Sequence, residues 1–254
     1  MLLQGIEIDV VRKGAGQAMV LLHGGGGPVA GMPFADALAE SFEIIAPVHP
    51  GFSGSPIPDH FDRVDDLAFL YLDLLDALDL NDVILVGFSF GGWAAAELAA
   101  MNSTRLARLI LVDSVGVKVG GRDTRDIADI FALPPDDLQR RLFHDPANAP
   151  NPATMTDAQL EIAAANRTAL AVYTWDPYMH NPKLPQRLHR VTVPTHFIWG
   201  ASDGLVTVDY GRTFAGMIDG AQLTVIDKAG HAPQVEQPAA FVDAVRAFIS
   251  QNEG

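Results

Sequence analysis

Cysteine is absent from the 254 residues, which excludes a disulfide framework and thiolate chemistry. Basic residues are scarce. Seventeen Lys and Arg stand against 31 Asp and Glu, a formal charge of −14 at pH 7. A surface this acidic repels nucleic-acid phosphates and anionic lipid head groups, so neither is an expected partner, and the acidity reads as a solubility feature. No uninterrupted apolar run approaches the roughly 20 residues of a membrane helix. The N-terminal MLLQGIEIDVVRKG lacks a basic stretch followed by a long apolar core, so no signal peptide is expected. There is no internal repeat and no low-complexity linker. The expectation is a cytoplasmic protein, monomeric or a small homo-oligomer. What is present is ordinary for a globular enzyme: 48% hydrophobic and 19% charged residues, enough to bury a sizeable core.

Short apolar runs alternate with helical patterns. IEIDVV (6–11), AMVLL (18–22), FEIIA (42–46), VILV (83–86), LILV (109–112), HFIW (196–199) and LTVI (223–226) read as strands. Several are apolar throughout, which suits strands covered on both faces. Between 62 and 79, Val64, Leu67, Leu70, Leu74 and Leu78 recur at helical spacing; 91–101 is Ala-rich, and 237–249 repeats Phe241, Val245 and Phe248. This alternation predicts an α/β fold, a mostly parallel central sheet with helices on both faces. One interval breaks the rhythm. From 113 to 194 there is no good strand candidate, only Pro- and Asp-rich sequence with amphipathic pieces at 126–143 and 158–175. Residues 116–190 are therefore expected to form a helical lid inserted into a core made of 1–115 and 191–254.

The loop HGGGGPVAG (23–31) invites a phosphate-binding reading, which can be tested. Gly26 and Gly31 have P-loop spacing, but Met32 stands where the lysine must be. Gly25, Gly27 and Ala30 match a dinucleotide pattern, yet the following strand FEIIAPVHP ends without an acid for a ribose. No nucleotide cofactor is expected. No His and carboxylate spacing suggests a metal site either.

At 83–93 the chain reads VILVGFSFGGW. An apolar strand ends in Gly87-Phe88-Ser89-Phe90-Gly91, and an Ala-rich helix follows, the context in which G-x-S-x-G presents a nucleophile on a sharp strand-to-helix turn. Serine at its free pKa is a poor nucleophile and needs a base oriented by an acid. Asp203 follows the strand HFIWG and His231 lies beyond the strand LTVID, giving the order Ser…Asp…His. Asp113, after LILV, is the competing acid. His23 reads as structural, His49 and His60 as loop residues, and His144, His180 and His189 as surface residues in or beside the lid.

These pieces together resemble the α/β-hydrolase family over essentially the whole chain: HGGGG at 23–27, PGFSGS at 50–55, GFSFGG at 87–92, WGASDGLV at 199–206 and AGHAPQVEQP at 229–238. The resemblance implies a Ser89, Asp203, His231 triad and an oxyanion hole from the amides of Phe90 and Gly25, with Gly26 in reserve. It implies no cofactor. Phe88, Trp93, Tyr173, Trp175 and Tyr178, with Phe90 and Met179, are candidates to line a substrate pocket. A serine nucleophile argues against the dehalogenase and epoxide-hydrolase relatives, which attack with aspartate. The expected activity is hydrolysis of a small to medium, mostly apolar carboxylic ester. A lactonase is chemically adjacent, and a carbon–carbon bond hydrolase of the meta-cleavage type is the rival, although HGGGGPVAG carries its proline one residue later than that group. A non-catalytic ligand receptor on the same fold is the alternative of another class.

Overall fold

The computed structural model describes residues 1–29 and 31–251; Ala30, which completed the dinucleotide pattern, lies outside them. In chain order the elements are β1 (Leu2–Leu3), β2 (Ile6–Glu7), β3 (Val10–Lys13), β4 (Gln17–Leu22), α1 (Pro33–Ala39), β5 (Phe42–Pro47), α2 (Val64–Ala77), β6 (Val83–Phe88), α3 (Phe90–Met101) and β7 (Leu106–Val112). They continue with α4 (Pro135–Leu142), α5 (Asp157–Thr174), β8 (Thr195–Gly200), α6 (Val208–Ala215), β9 (Gln222–Ile226), α7 (Pro233–Glu236) and α8 (Pro238–Ser250). Strands β3 to β9 form one sheet in the order β3-β5-β4-β6-β7-β8-β9. Within this sheet, among the described residues, only the β3–β5 pair is antiparallel. The run 6–11 is not one strand: β2 pairs with β1, and β3 starts afresh at Val10 against β5.

The apolar strands are covered on both sides, as their composition required. In β4 and β6, Val20, Leu22, Val83 and Leu85 join a core with α2, α3 and α6, whereas Met19, Leu21, Ile84, Val86 and Phe88 join another with α1 and α8. The period-two alternation of side chains sends neighbours to opposite cores. Each fully buried aliphatic or aromatic side chain contributes about 1.5–3 kcal/mol.

His196 of β8 is buried against α8, its ring 4.8 Å from that of Phe248 and its Nε2 2.9 Å from Thr224 Oγ1. Burial lowers its pKa from 6.5 to about 4. Between those values the unfolded chain binds the proton and the folded one does not, so this histidine removes stability as pH falls from 6.5 towards 4. His196→Phe is expected to gain on the native protein by up to about 1.4 kcal/mol per pH unit across that window in urea melts, a comparison that cancels other titrating groups.

Between β7 and β8 the described chain has α4 and α5, four short 3₁₀ turns and no strand. Of the amphipathic piece at 126–143, the α-helix covers only α4. Pro134 and Pro135 disfavour helix in the residues before them, and Pro135 supplies a pre-set first turn instead. Helix α5 opens on a capping box in which Thr156 and Gln159 bond reciprocally. Among the described residues no helix is long and apolar enough to cross a membrane.

Candidate active site

The carboxyl ends of the parallel strands carry the residues singled out by sequence. Ser89 sits between β6 and α3 with φ 49° and ψ −111°. That backbone costs on the order of 1–3 kcal/mol and persists only where its surroundings enforce it. They do so here. The Ser89 amide donates to Val112 O at 2.8 Å, and its carbonyl accepts from Trp93 N at 3.2 Å. A side-chain carbon on Gly87 would lie 2.5 Å from Gly91 O, and one on Gly91 would lie 2.2 Å from Leu22 O. Only glycine lets the turn close this tightly onto the end of β4.

His231 Nε2 is 2.8 Å from Ser89 Oγ, and His231 Nδ1 is 2.7 Å from Asp203 Oδ2. The other Asp203 oxygen accepts from the amides of Leu205 and Val206 at 2.8 and 2.9 Å. Two backbone N–H groups and a ring N–H thus fix the orientation of this carboxylate. Asp113 is fully buried beside it; one oxygen accepts from Gly200 N at 2.9 Å and the other has no hydrogen-bond partner among the described residues. Burial, then the neighbouring Asp203 charge, pushes Asp113 well above the usual carboxylate range. Asp113, with the Gly200 amide as its donor, is thus disposed to the neutral form. These two acids and His231 bring ligand-type atoms within 4.8 Å of one another, and the hydrogen bonds above account for the Asp203 and His231 atoms.

The glycine loop lies against this turn. A side chain on Gly24 would sit 3.4 Å from Ser89 Cβ, and Leu170 of α5 covers Gly25 closely enough to meet a Cβ at 2.5 Å. The Gly25 and Phe90 amides donate to no other described residue. His23 Nδ1 donates to Gly24 O at 2.8 Å while its Nε2 accepts from His49 N at 3.0 Å, which fixes one neutral tautomer. Burial lowers His23 to about 4. His49 in turn donates from Nε2 to His23 O at 2.7 Å and pairs through Nδ1 with Tyr71 Oη. The two histidines are buried scaffolding.

The aromatic residues expected in a pocket divide. Phe88 points the wrong way: it shares the strand face of Val86, and its ring packs on Phe34 and Phe241 in the α1–α8 core. Trp93 is buried and donates to Glu97 Oε1 at 3.1 Å; Met179 is buried as well. Trp175, 66% exposed, and Tyr178 line a cavity of about 420 Å³ with Val117, Arg122 and His180, and its lining includes none of Ser89, Asp203 and His231. Tyr178 Oη is spent on Ala128 O and Ile130 N. Tyr173 and Phe90 do stand together near the glycine loop, with rings 5.8 Å apart and Tyr173 Oη donating to Pro50 O at 3.1 Å.

Sequence reasoning passed over Glu236. Its carboxylate accepts from Gly230 N at 2.6 Å, Asp145 N at 2.9 Å, His144 N at 3.1 Å and Asn148 Nδ2 at 3.3 Å. With His231 N donating to Leu142 O at 2.7 Å, it ties the loop of His231 to the end of α4. The available signal was its place five residues beyond His231 in AGHAPQVEQP.

The fold and this arrangement define a class, and the comparisons agree with it. Residues 19–244 match the family model described as the alpha/beta hydrolase family, and the chain belongs to that family. It is 30% identical to the 2-hydroxymuconate semialdehyde hydrolase of Pseudomonas sp. (strain CF600) over 270 residues, covering 97% of this chain and 92% of that protein. Among solved structures, a meta-cleavage product hydrolase superposes with TM-score 0.80 at 23% identity, covering 99% of this chain and 97% of the other. A thermophilic esterase from Thermogutta terrifontis gives TM-score 0.72 at 22% identity, with 97% and 94% covered. At such identities the superpositions speak for the fold alone.

Proposed function

We propose that this protein is a serine hydrolase that cleaves a carboxylic ester of a small to medium, mostly apolar substrate through an acyl-enzyme on Ser89. The unbroken hydrogen-bond chain from Ser89 Oγ through His231 to Asp203 carries the proposal. As Ser89 Oγ attacks the carbonyl carbon, His231 Nε2 takes its proton, and Asp203 holds the Nδ1–H tautomer and stabilises the imidazolium. The amides of Gly25 and Phe90 receive the developing oxyanion, each donor worth about 2.7–4 kcal/mol in a comparable site. Collapse breaks the ester bond and expels the alcohol, protonated by His231. Water, deprotonated by the same histidine, then releases the acid and restores Ser89.

An ester is favoured because the surroundings of the glycine loop offer little to an anion. Leu170, which covers Gly25, and Phe90, next to Ser89, are apolar, and Arg167, the cation on that stretch of α5, is spent on Ile130 O at 2.7 Å and lies over the Phe131 ring. Residues 116–190 act as the lid over this centre, with α5 as its roof. A second reading, carbon–carbon bond cleavage of a vinylogous diketone, is favoured by the 30% identity to a semialdehyde hydrolase. A panel of p-nitrophenyl esters, lactones and a dienoate diketone separates them. The expected result is kcat/KM for a short-chain ester on the order of a hundredfold above the dienoate. The reverse order would transfer the assignment to carbon–carbon cleavage.

A further inference from the structure

Helix α5 buries Asn166, Ala169, Leu170, Tyr173 and Thr174, one stripe at three- and four-residue steps, while its first two turns stay exposed. Asn166, 5% exposed, is the amide in an otherwise small, apolar or hydroxyl-bearing stripe. Its Oδ1 accepts from Ser53 N at 2.8 Å and its Nδ2 donates to Gly26 O at 3.2 Å. A single side chain thus joins α5 to two loops at the site. Gly27, at φ 104°, leaves the room: a Cβ there would lie 2.7 Å from Asn166 Nδ2.

The consequence follows from peptide planarity. In a trans peptide the C=O and the N–H point in opposite directions, so fixing one aims the other. Asn166 holds the carbonyl of the Gly26–Gly27 peptide, whose N–H then points the other way and donates to Gly24 O at 3.1 Å. Gly24 O also receives the His23 ring N–H. With that carbonyl held from two sides, the N–H of the same peptide, that of Gly25, must point to the opposite side. We infer that Asn166 is a positioning residue for the oxyanion site: its bond to Gly26 O is the outer link of a relay that aims the Gly25 amide, so docking of α5 and assembly of the oxyanion site are one event. The inference rests on the acyl-enzyme reading above. It also selects Gly25 over Gly26 as the donor, since the Gly26 amide lies in a peptide outside the relay.

The side chain must both accept and donate, which Asn does and its near isosteres do not. Asn166→Asp keeps an acceptor for Ser53 N and loses the donor to Gly26 O; Asn166→Leu loses both without adding a buried charge. Each is assayed on the p-nitrophenyl ester the native protein turns over best, with thermal melts and with the affinity of an alkyl boronic acid, which forms a tetrahedral anion on serine. The expected result for both variants is kcat lowered about ten- to a hundredfold with KM within about threefold, part of what losing a whole oxyanion donor costs. Boronate affinity falls in parallel, while that of a neutral, non-reactive substrate analogue does not. If Asn166→Asp does not fold, Asn166→Leu is read alone. A variant with a lowered Tm but unchanged kcat and boronate affinity would overturn the inference and leave Asn166 a structural tie. A native protein inert to every ester and diketone would instead overturn the hydrolase reading itself.

Discussion

Ser89→Ala is expected to lower kcat by about 10⁶, to the level of the uncatalysed reaction, with the Tm unchanged or slightly raised. The size follows from covalent catalysis: with no Oγ there is no acyl-enzyme, and the aligned His231 has no proton to take. Folding should be unaffected because the hydroxyl makes its one side-chain bond to His231, while the turn is held by the Ser89 backbone and the close contacts of Gly87 and Gly91. Alanine tolerates φ 49° no worse than serine does. A variant retaining even a hundredth of native kcat would move the nucleophile elsewhere.

The second large effect separates two adjoining buried aspartates. Asp203→Asn is expected to cost about 10⁴ in kcat, because an amide at this position presents N–H to His231 Nδ1 and favours the wrong tautomer. Asp113→Asn should leave kcat within about threefold. The Asp113 carboxyl is held protonated by burial and by the Asp203 charge, so a neutral amide of the same shape replaces a neutral acid and still accepts from Gly200 N. Steady-state kinetics on the two variants decide the matter. Equal losses, or a larger one for Asp113→Asn, would reverse the roles assigned here.

Much of this was legible because the chemistry demands local sequence. The inner strands β4, β6, β7 and β8 announced themselves as apolar runs, since both faces are covered, whereas the edge strand β3, Val10–Lys13, is half polar and was merged with β2. The tight strand-to-helix turn at Ser89 requires small residues around it. Asp203 and His231 could be found because each follows directly on a strand end. Other features depended on partners distant in sequence. Phe88 is aromatic and adjacent to Ser89, yet strand alternation sends it into the core with Phe34 and Phe241, so adjacency misled. The amphipathic pattern at 126–143 runs across the Pro134-Pro135 pair, and the prolines, not the pattern, set where α4 begins. Helix α1 is seven residues and α6 eight, too short for a periodic signal to rise above their loops. Asn166 and Glu236 act on backbone atoms of other segments, Gly26 and Ser53 for one, Gly230 and Asp145 for the other. Backbone partners leave no trace in residue type, which is why neither stood out.

The most direct measurement of the central claim is covalent labelling with an alkyl fluorophosphonate, followed by intact mass and peptide mapping, because it depends on the activated serine and not on the choice of substrate. One phosphonyl group per chain is expected on the peptide containing Ser89, with no labelling of Ser89→Ala and labelling strongly slowed in Asp203→Asn. A label on another residue, or a turning-over enzyme whose Ser89 stays unmodified, would contradict that claim.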